Sequence, residues 1–132
     1  MPLLRGVSMK KVIAIDLGES NGRLIVAKLV HQKLVMEELH RFPNEPIEKD
    51  GHLFWDMTAL INEIKIGLKK YGDKYEINAS GIGIDTWGVD FGLVSSDDVL
   101  LEDPYSYRDT HTNEIMSDVH QNVSEKDLFM RT

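Results

Sequence analysis

The sequence predicts an α/β domain, and three observations carry that prediction. Residues 11–42 hold three apolar, β-branched runs divided by turn residues, residues 56–71 change to a helical period, and a glycine-rich apolar run at 79–85 follows the helix. A meander, then a helix, then a further strand is how a sheet with covering helices is laid down along a chain.

Taken in order, KVIAIDL at 11–17 is a strand, GESNG is the polar tip of a hairpin, and RLIVAKLV at 23–30 is the returning strand. KLVMEELHRF at 33–42 is the third strand, closed by a loop around Pro43, Asn44 and Pro46. Asp56 is placed to cap a helix that puts Met57, Leu60, Ile61, Ile64, Leu68 and Tyr71 on one face and ends at Gly72. Trp55, just before the cap, is positioned to staple onto that face. Beyond the strand at 79–85, residues 89–94 read as another strand, SSDD at 95–98 as a turn and 99–101 as its return. A helix is expected from about Thr112 with Ile115, Met116, Val119 and Val123 inward, and Ser124–Asp127 offers a capping box for a short helix that runs to Thr132. Residues 1–8 read as a disordered extension before a second natural start at Met9-Lys10-Lys11, which leaves 9–132 for the domain.

Composition narrows the function classes. Fifteen basic and twenty-two acidic residues give a net charge of -7 with no Lys/Arg block, which argues against nucleic acid as a partner. The chain has no cysteine, so disulfides, thiol catalysis and thiolate metal sites are excluded, and a reduced cytoplasmic setting fits. No run approaches the ~20 apolar residues of a membrane span. Histidines stand at 31, 40, 52, 111 and 120 without ligand spacing, and are expected on the surface or in loops.

Two stretches carry chemistry. In DLGESNGR at 16–23, an aspartate ends a buried strand and a glycine-containing turn follows. Such a turn presents backbone N–H groups to phosphate while the carboxylate faces a hydrated cation, or it is simply a hairpin built from turn residues. It is not a Walker loop, since Gly18 to Gly22 has the wrong spacing and no Lys-Ser/Thr follows. In GIGIDTWGVDFG at 81–92, the glycines at 81, 83 and 88 miss the dinucleotide spacing. What remains is a buried strand ending at Asp85 with Thr86, Trp87, Gly88 and Asp90 beyond it, where open α/β sheets bind ligands. An indole face, carboxylates and an accessible backbone suit a polyol, and a glycine-kinked bend with turn-capping aspartates is the alternative. Arg108 and Asp109 in YRDTHTN at 107–113 could grip vicinal hydroxyls, although a helix cap with a surface ion pair explains them locally.

Read together, DLGESNGR, HRFPN, FWDMTALINEIKIGL, GIDTWGVDF, YRDTHTN and DLFMRT resemble the amino-terminal part of the rhamnulokinase branch of the FGGY carbohydrate kinases. The resemblance spans nearly everything after residue 8 and implies an incomplete amino-terminal domain of ribonuclease H-like fold, from the actin-like ATPase superfamily: a mixed sheet with flanking helices. It implies transfer of the γ-phosphoryl of ATP, with Mg2+, to the 1-hydroxyl of a ketose, L-rhamnulose, in a cytoplasmic enzyme. Carried over by position, Glu19, Ser20, Asn21, Gly22 and Arg23 are implied nucleotide contacts, Asp16 faces the magnesium, and Gly88 contacts the ketose with Thr86 and Trp87 beside it. Asn21 departs from the serine common in the family. No catalytic residue is assigned, because the resemblance places the general base and the second domain beyond Thr132, so that this chain alone is expected to be inactive. A kinase for xylulose or fuculose, a non-catalytic sugar-binding module and an actin-like structural protein are the competing readings.

Overall fold

The computed structural model describes residues 10–76 and 78–131; the expected extension at 1–8 lies outside them. β1 (Lys11–Leu17), β2 (Asn21–Val30) and β3 (Lys33–Pro43) form the meander, β4 (Ile47–Lys49) and β5 (His52–Phe54) a small hairpin, and α1 (Met57–Lys74), β6 (Gly81–Thr86), α2 (Ile115–Asn122) and α3 (Glu125–Arg131) follow. The main sheet has the order β3-β2-β1-β6, with β6 parallel to β1 and the other pairs antiparallel. A parallel neighbour needs a crossover, and α1 supplies it.

Alternation along the strands decides what faces the helix. Ile13, Ile15 and Leu17 of β1, Leu24 and Val26 of β2 and Phe42 of β3 are buried with Leu60 and Tyr71 of α1. Met57, Ile64 and Leu68 pack against this core as expected, whereas Ile61 is 44% exposed, since α1 presents a narrower stripe than its apolar content suggests. At Gly67 the helix approaches β2 so closely that a Cβ would lie 2.7 Å from Leu24 Cδ1. The Asp56 side chain caps the helix by accepting from the Ala59 N–H at 2.8 Å. Gly72 does not end it: the helix continues to Lys74, and the Tyr75 N–H closes the last turn on the Tyr71 carbonyl.

Five further expectations change. β6, expected to be buried, is exposed along its whole length, with Ile82 and Ile84 uncovered, because it is the edge strand of the sheet. The β4–β5 hairpin was not anticipated, although Asp50-Gly51 with φ of 55° and 81° is the turn pair that two-residue hairpins favour. The strand expected at 89–94 is reduced to its last two residues: Val94 bridges to Leu100 and the Leu93 carbonyl accepts from the Leu101 N–H at 2.9 Å on the expected return, while Val89 and Phe91 form no strand and stay exposed. The helix expected from Thr112 starts at Ile115, and its intended inner face is open, with Ile115, Met116 and Val123 all exposed. Trp55 is buried, but its ring stacks on Trp87 instead of stapling to α1. The Ser124 cap does form: its Oγ accepts from the Asp127 N–H at 3.1 Å and donates to the Asp127 carboxylate at 2.6 Å.

Candidate functional site

Residues 18–20 form the tip between β1 and β2. The Gly18 N–H donates to the Asn21 carbonyl at 3.0 Å, and Asn44, buried just past β3, clamps the tip from outside. Asn44 Nδ2 donates to the Gly18 carbonyl at 2.7 Å and its N–H to the Ser20 carbonyl at 3.1 Å. The sequence marks Asn44 only as a loop residue, and nothing local identifies it as the clamp. Gly22 is required by packing: a Cβ there would meet Phe42 Cζ at 2.1 Å. Asn21 Oδ1 accepts from Arg41 Nη1 at 2.9 Å, so the amide is held by β3. Arg41 also forks onto Glu38, and that hydrogen-bonded pairing holds the Glu38 carboxyl below its usual range.

Four charged groups converge on this end of the sheet. Asp16 and Arg23 are register partners across β1 and β2, and Arg23 Nη2 donates to Asp16 Oδ2. Arg23 Nε is buried and has no hydrogen-bond partner among the described residues, an orphan donor of the kind that a bound anion or water satisfies. Arg108, from the loop after β6, pairs through Nη2 with Glu19 at the hairpin tip. Asp16 keeps a third of its side chain exposed and its Oδ1 is not engaged by Arg23. Mg2+ usually takes one or two carboxylates and completes its shell with water and phosphate, so this donor set fits a hydrated magnesium. Among the described residues no group of three or more His, Cys, Asp or Glu could hold a metal by itself.

Parallel pairing brings the second stretch alongside. Asp85 is the register partner of Asp16 and Thr86 that of Leu17, so Thr86, Trp87 and Gly88 begin where the β1–β2 tip begins. Trp87 stacks on Trp55 with centroids 4.3 Å apart, and Trp55 Nε1 donates to Asp90 Oδ2 at 2.5 Å. Asp90 therefore shapes the segment. Gly88 is open, with nothing within 4 Å of where a Cβ would stand. A cavity of about 470 Å3 lies next to this segment, lined by residues 89–93 and 102–105 with Tyr107, His111 and Thr112, but not by Thr86, Trp87 or Gly88.

The loop that carries Arg108 is pinned to the β4–β5 hairpin. Ser106 is fully buried and donates its N–H to the Leu53 carbonyl at 2.8 Å. Asp109 is buried too, and accepts from the Leu53 N–H at 2.6 Å, the His111 N–H at 2.7 Å and the Nδ1 atoms of His52 (3.1 Å) and His111 (2.9 Å). Burial alone would raise its pKa, but these four donors outweigh it and hold the carboxyl down at about 2. Asp109 is thus neither a helix cap nor a surface ion pair. Two of the histidines expected as loop or surface residues are its partners, and His40 is held by Glu63 at 2.6 Å with its side chain only 10% exposed.

The chain is 43% identical over 124 residues to a rhamnulokinase from Halalkalibacterium halodurans, covering 94% of this chain and 26% of that protein. It is 44% identical over 119 residues to a rhamnulokinase from Bacteroides thetaiotaomicron, covering 90% of this chain and 24% of that one. It spans about a quarter of the length of these curated relatives. Among solved structures, a gluconate kinase from Lactobacillus acidophilus superposes with a TM-score of 0.71 at 18% identity, over 87% of this chain and 23% of that one. A ligand-bound xylulose kinase from the same organism gives 0.69 at 17%, over 86% and 23%. No protein-family model matches. The chain therefore has the fold of the matching part of these kinases, a ribonuclease H-like mixed sheet with flanking helices, and in sequence it resembles the rhamnulokinases.

Proposed function

We propose that this chain is part of an ATP-dependent kinase that phosphorylates L-rhamnulose at its 1-hydroxyl. The observation that carries the reading is the β1–β6 register, which sets the tip at 18–20 beside the segment from Thr86 to Gly88. In this reading the hairpin of Glu19, Ser20, Asn21, Gly22 and Arg23 lies against the phosphates, with the Glu19 carboxylate paired to Arg108, and Thr86, Trp87 and Gly88 form one wall for the ketose.

The ketose oxygen forms the new bond to the γ-phosphorus, the bridging oxygen leaves with its electron pair on ADP, and the hydroxyl proton goes to a base that is none of the residues above. Magnesium, when bound beside Asp16, would neutralise charge on the phosphate oxygens. The chain's own contribution is positional. The clamped tip offers N–H donors in fixed places, and Trp55 holds Trp87 and Asp90 so that Gly88 leaves room for a hydroxyl-rich ligand. The cytoplasm is the compartment that supplies both ATP and magnesium.

The chain has two tryptophans, and their stacking makes fluorescence a direct probe of the ketose wall. L-Rhamnulose titrated in the presence and absence of MgATP should give a saturable change that is tighter with nucleotide, and D-xylulose or L-fuculose should bind more weakly. Binding that ignores nucleotide would favour a sugar-binding module, and no response to any ketose would remove the assignment of the wall. We also propose that the isolated chain does not turn over; ketose-dependent ADP release at an ordinary rate would overturn that statement.

A further inference from the structure

We propose that Arg108 is a phosphate ligand of this site, and that Glu19 occupies its guanidinium until the terminal phosphoryl group of a nucleoside triphosphate displaces it. The inference rests on the reading of the tip at 18–20 as the phosphate-binding turn. Three observations lead to it.

First, Arg108 is presented by a rigid support. Ser106 and Asp109, on either side of it, are buried and bonded to Leu53, and the Arg108 N–H donates to Ser106 Oγ at 3.3 Å. Ser106 and Asp109 are fixed inward while the Arg108 side chain remains about half exposed and reaches the tip. Second, its partner is badly placed for a phosphate-binding turn. A carboxylate at the tip repels an incoming phosphate, unless it is there to hold a cation in waiting. The Glu19–Arg108 pair, made between Oε1 and Nη2, places a guanidinium where an anion is expected and sets one carboxylate oxygen on it, a contact that a phosphoryl oxygen reproduces with greater charge. Third, the loop joins the two halves of the proposed site: Tyr107, next to Arg108, lies 6.3 Å from the Trp55 ring that stacks on Trp87. A cation held between nucleotide and ketose is where charge on the transferred group develops.

The alternative is that Glu19–Arg108 is only a tie between hairpin and loop, and the two accounts predict different signs. If the pair is a tie, removing either partner has the same effect on ligand binding. If Arg108 binds phosphate and Glu19 competes for it, Arg108→Ala weakens binding and Glu19→Gln tightens it. The probes are MgATP and inorganic tripolyphosphate, titrated by calorimetry against the whole chain and its variants, each checked by circular dichroism for an unchanged fold. For both probes we expect about tenfold weaker binding in Arg108→Ala, the low end of a charge-assisted hydrogen bond because the group is half exposed. Arg108→Lys should fall between that variant and wild type, since it keeps the charge and loses the fork, and Glu19→Gln should bind several-fold more tightly. Shifts in the same direction for Arg108→Ala and Glu19→Gln, or no shift, overturn this inference and leave the phosphate-binding turn intact. A wild-type chain that binds neither probe overturns the reading of the turn and the inference with it. Should Arg108→Ala fail to fold, Arg108→Lys and Glu19→Gln carry the same test.

Discussion

Alanine at Gly67 and alanine at Gly72 are the same chemical change in the same helix, and the structure assigns them opposite outcomes. Replacing a helical glycine by alanine stabilises by about 0.5–1 kcal/mol through backbone entropy. Gly72 collects that gain in full, because nothing lies within 4 Å of its new methyl group. At Gly67 the methyl would sit 2.7 Å from Leu24 Cδ1, 3.1 Å from Leu24 Cβ and 3.4 Å from His40 Cβ. The first contact ends a flexible side chain, but Leu24 is only 1% exposed and has nowhere to turn, while the second is fixed to the strand. Overpacking of this kind costs about 1–3 kcal/mol. Propensity is common to both variants, so their difference isolates the packing cost, and Gly67→Ala should be less stable than Gly72→Ala by about 1–3 kcal/mol. Urea unfolding followed by far-ultraviolet circular dichroism measures it as a gap between midpoints at equal slope. Coincident midpoints would refute the claim that α1 is seated on β2 through Gly67.

Two titrations probe other contacts. Tyr75 donates to Glu37 Oε2 at 2.5 Å, and that bond, helped by burial, pushes the phenol up to about 12. A folded-state pKa raised above the ordinary 10.0 contributes stability below about pH 10 that is lost as pH rises towards 12, so ultraviolet difference spectra should show a late-titrating phenol that is absent in Tyr75→Phe. Asp109 is shifted the opposite way, from 3.8 to about 2, so its contribution is present above pH 3.8 and is lost as pH falls through 2. Asp109→Asn should remove that part of the acid transition and lower stability at neutral pH, because an amide nitrogen would face N–H donors; an unchanged acid midpoint would contradict the four-donor arrangement.

What sequence could and could not reveal follows from the range of each interaction. β1, β2, β3 and α1 were legible because alternation and helical period are local, and Asp56 and Ser124 declared their caps within three residues. Asp50-Gly51 carries a hairpin signal, but the strands beside it have only three residues each, too few to show an alternation. The run at 89–94 misled for the opposite reason: its residues favour a strand, but a strand exists only where a partner edge is available. Within the site, the turn residues and the TWG segment could be named from motifs. Their adjacency could not, since it depends on the parallel pairing of β1 with β6. The Asn44 clamp, the Asp109 hub and the Glu19–Arg108 pair join distant parts of the chain and leave no local pattern.

The β1–β6 ladder also limits how such a site can vary. Side chains alternate along a strand at about 3.3 Å per residue, so inserting one residue inside Gly81–Thr86 would displace Thr86 by that distance and turn it to the other side of the sheet. No graded adjustment of the spacing between the hairpin tip and the Thr86–Gly88 segment is available by lengthening either strand. Change can enter only past the ends of the ladder, in the tip at 18–20 or in the residues after Thr86, where length and side chain alter without resetting the register. The two strands act as a fixed gauge, and diversification is confined to what is mounted on their ends.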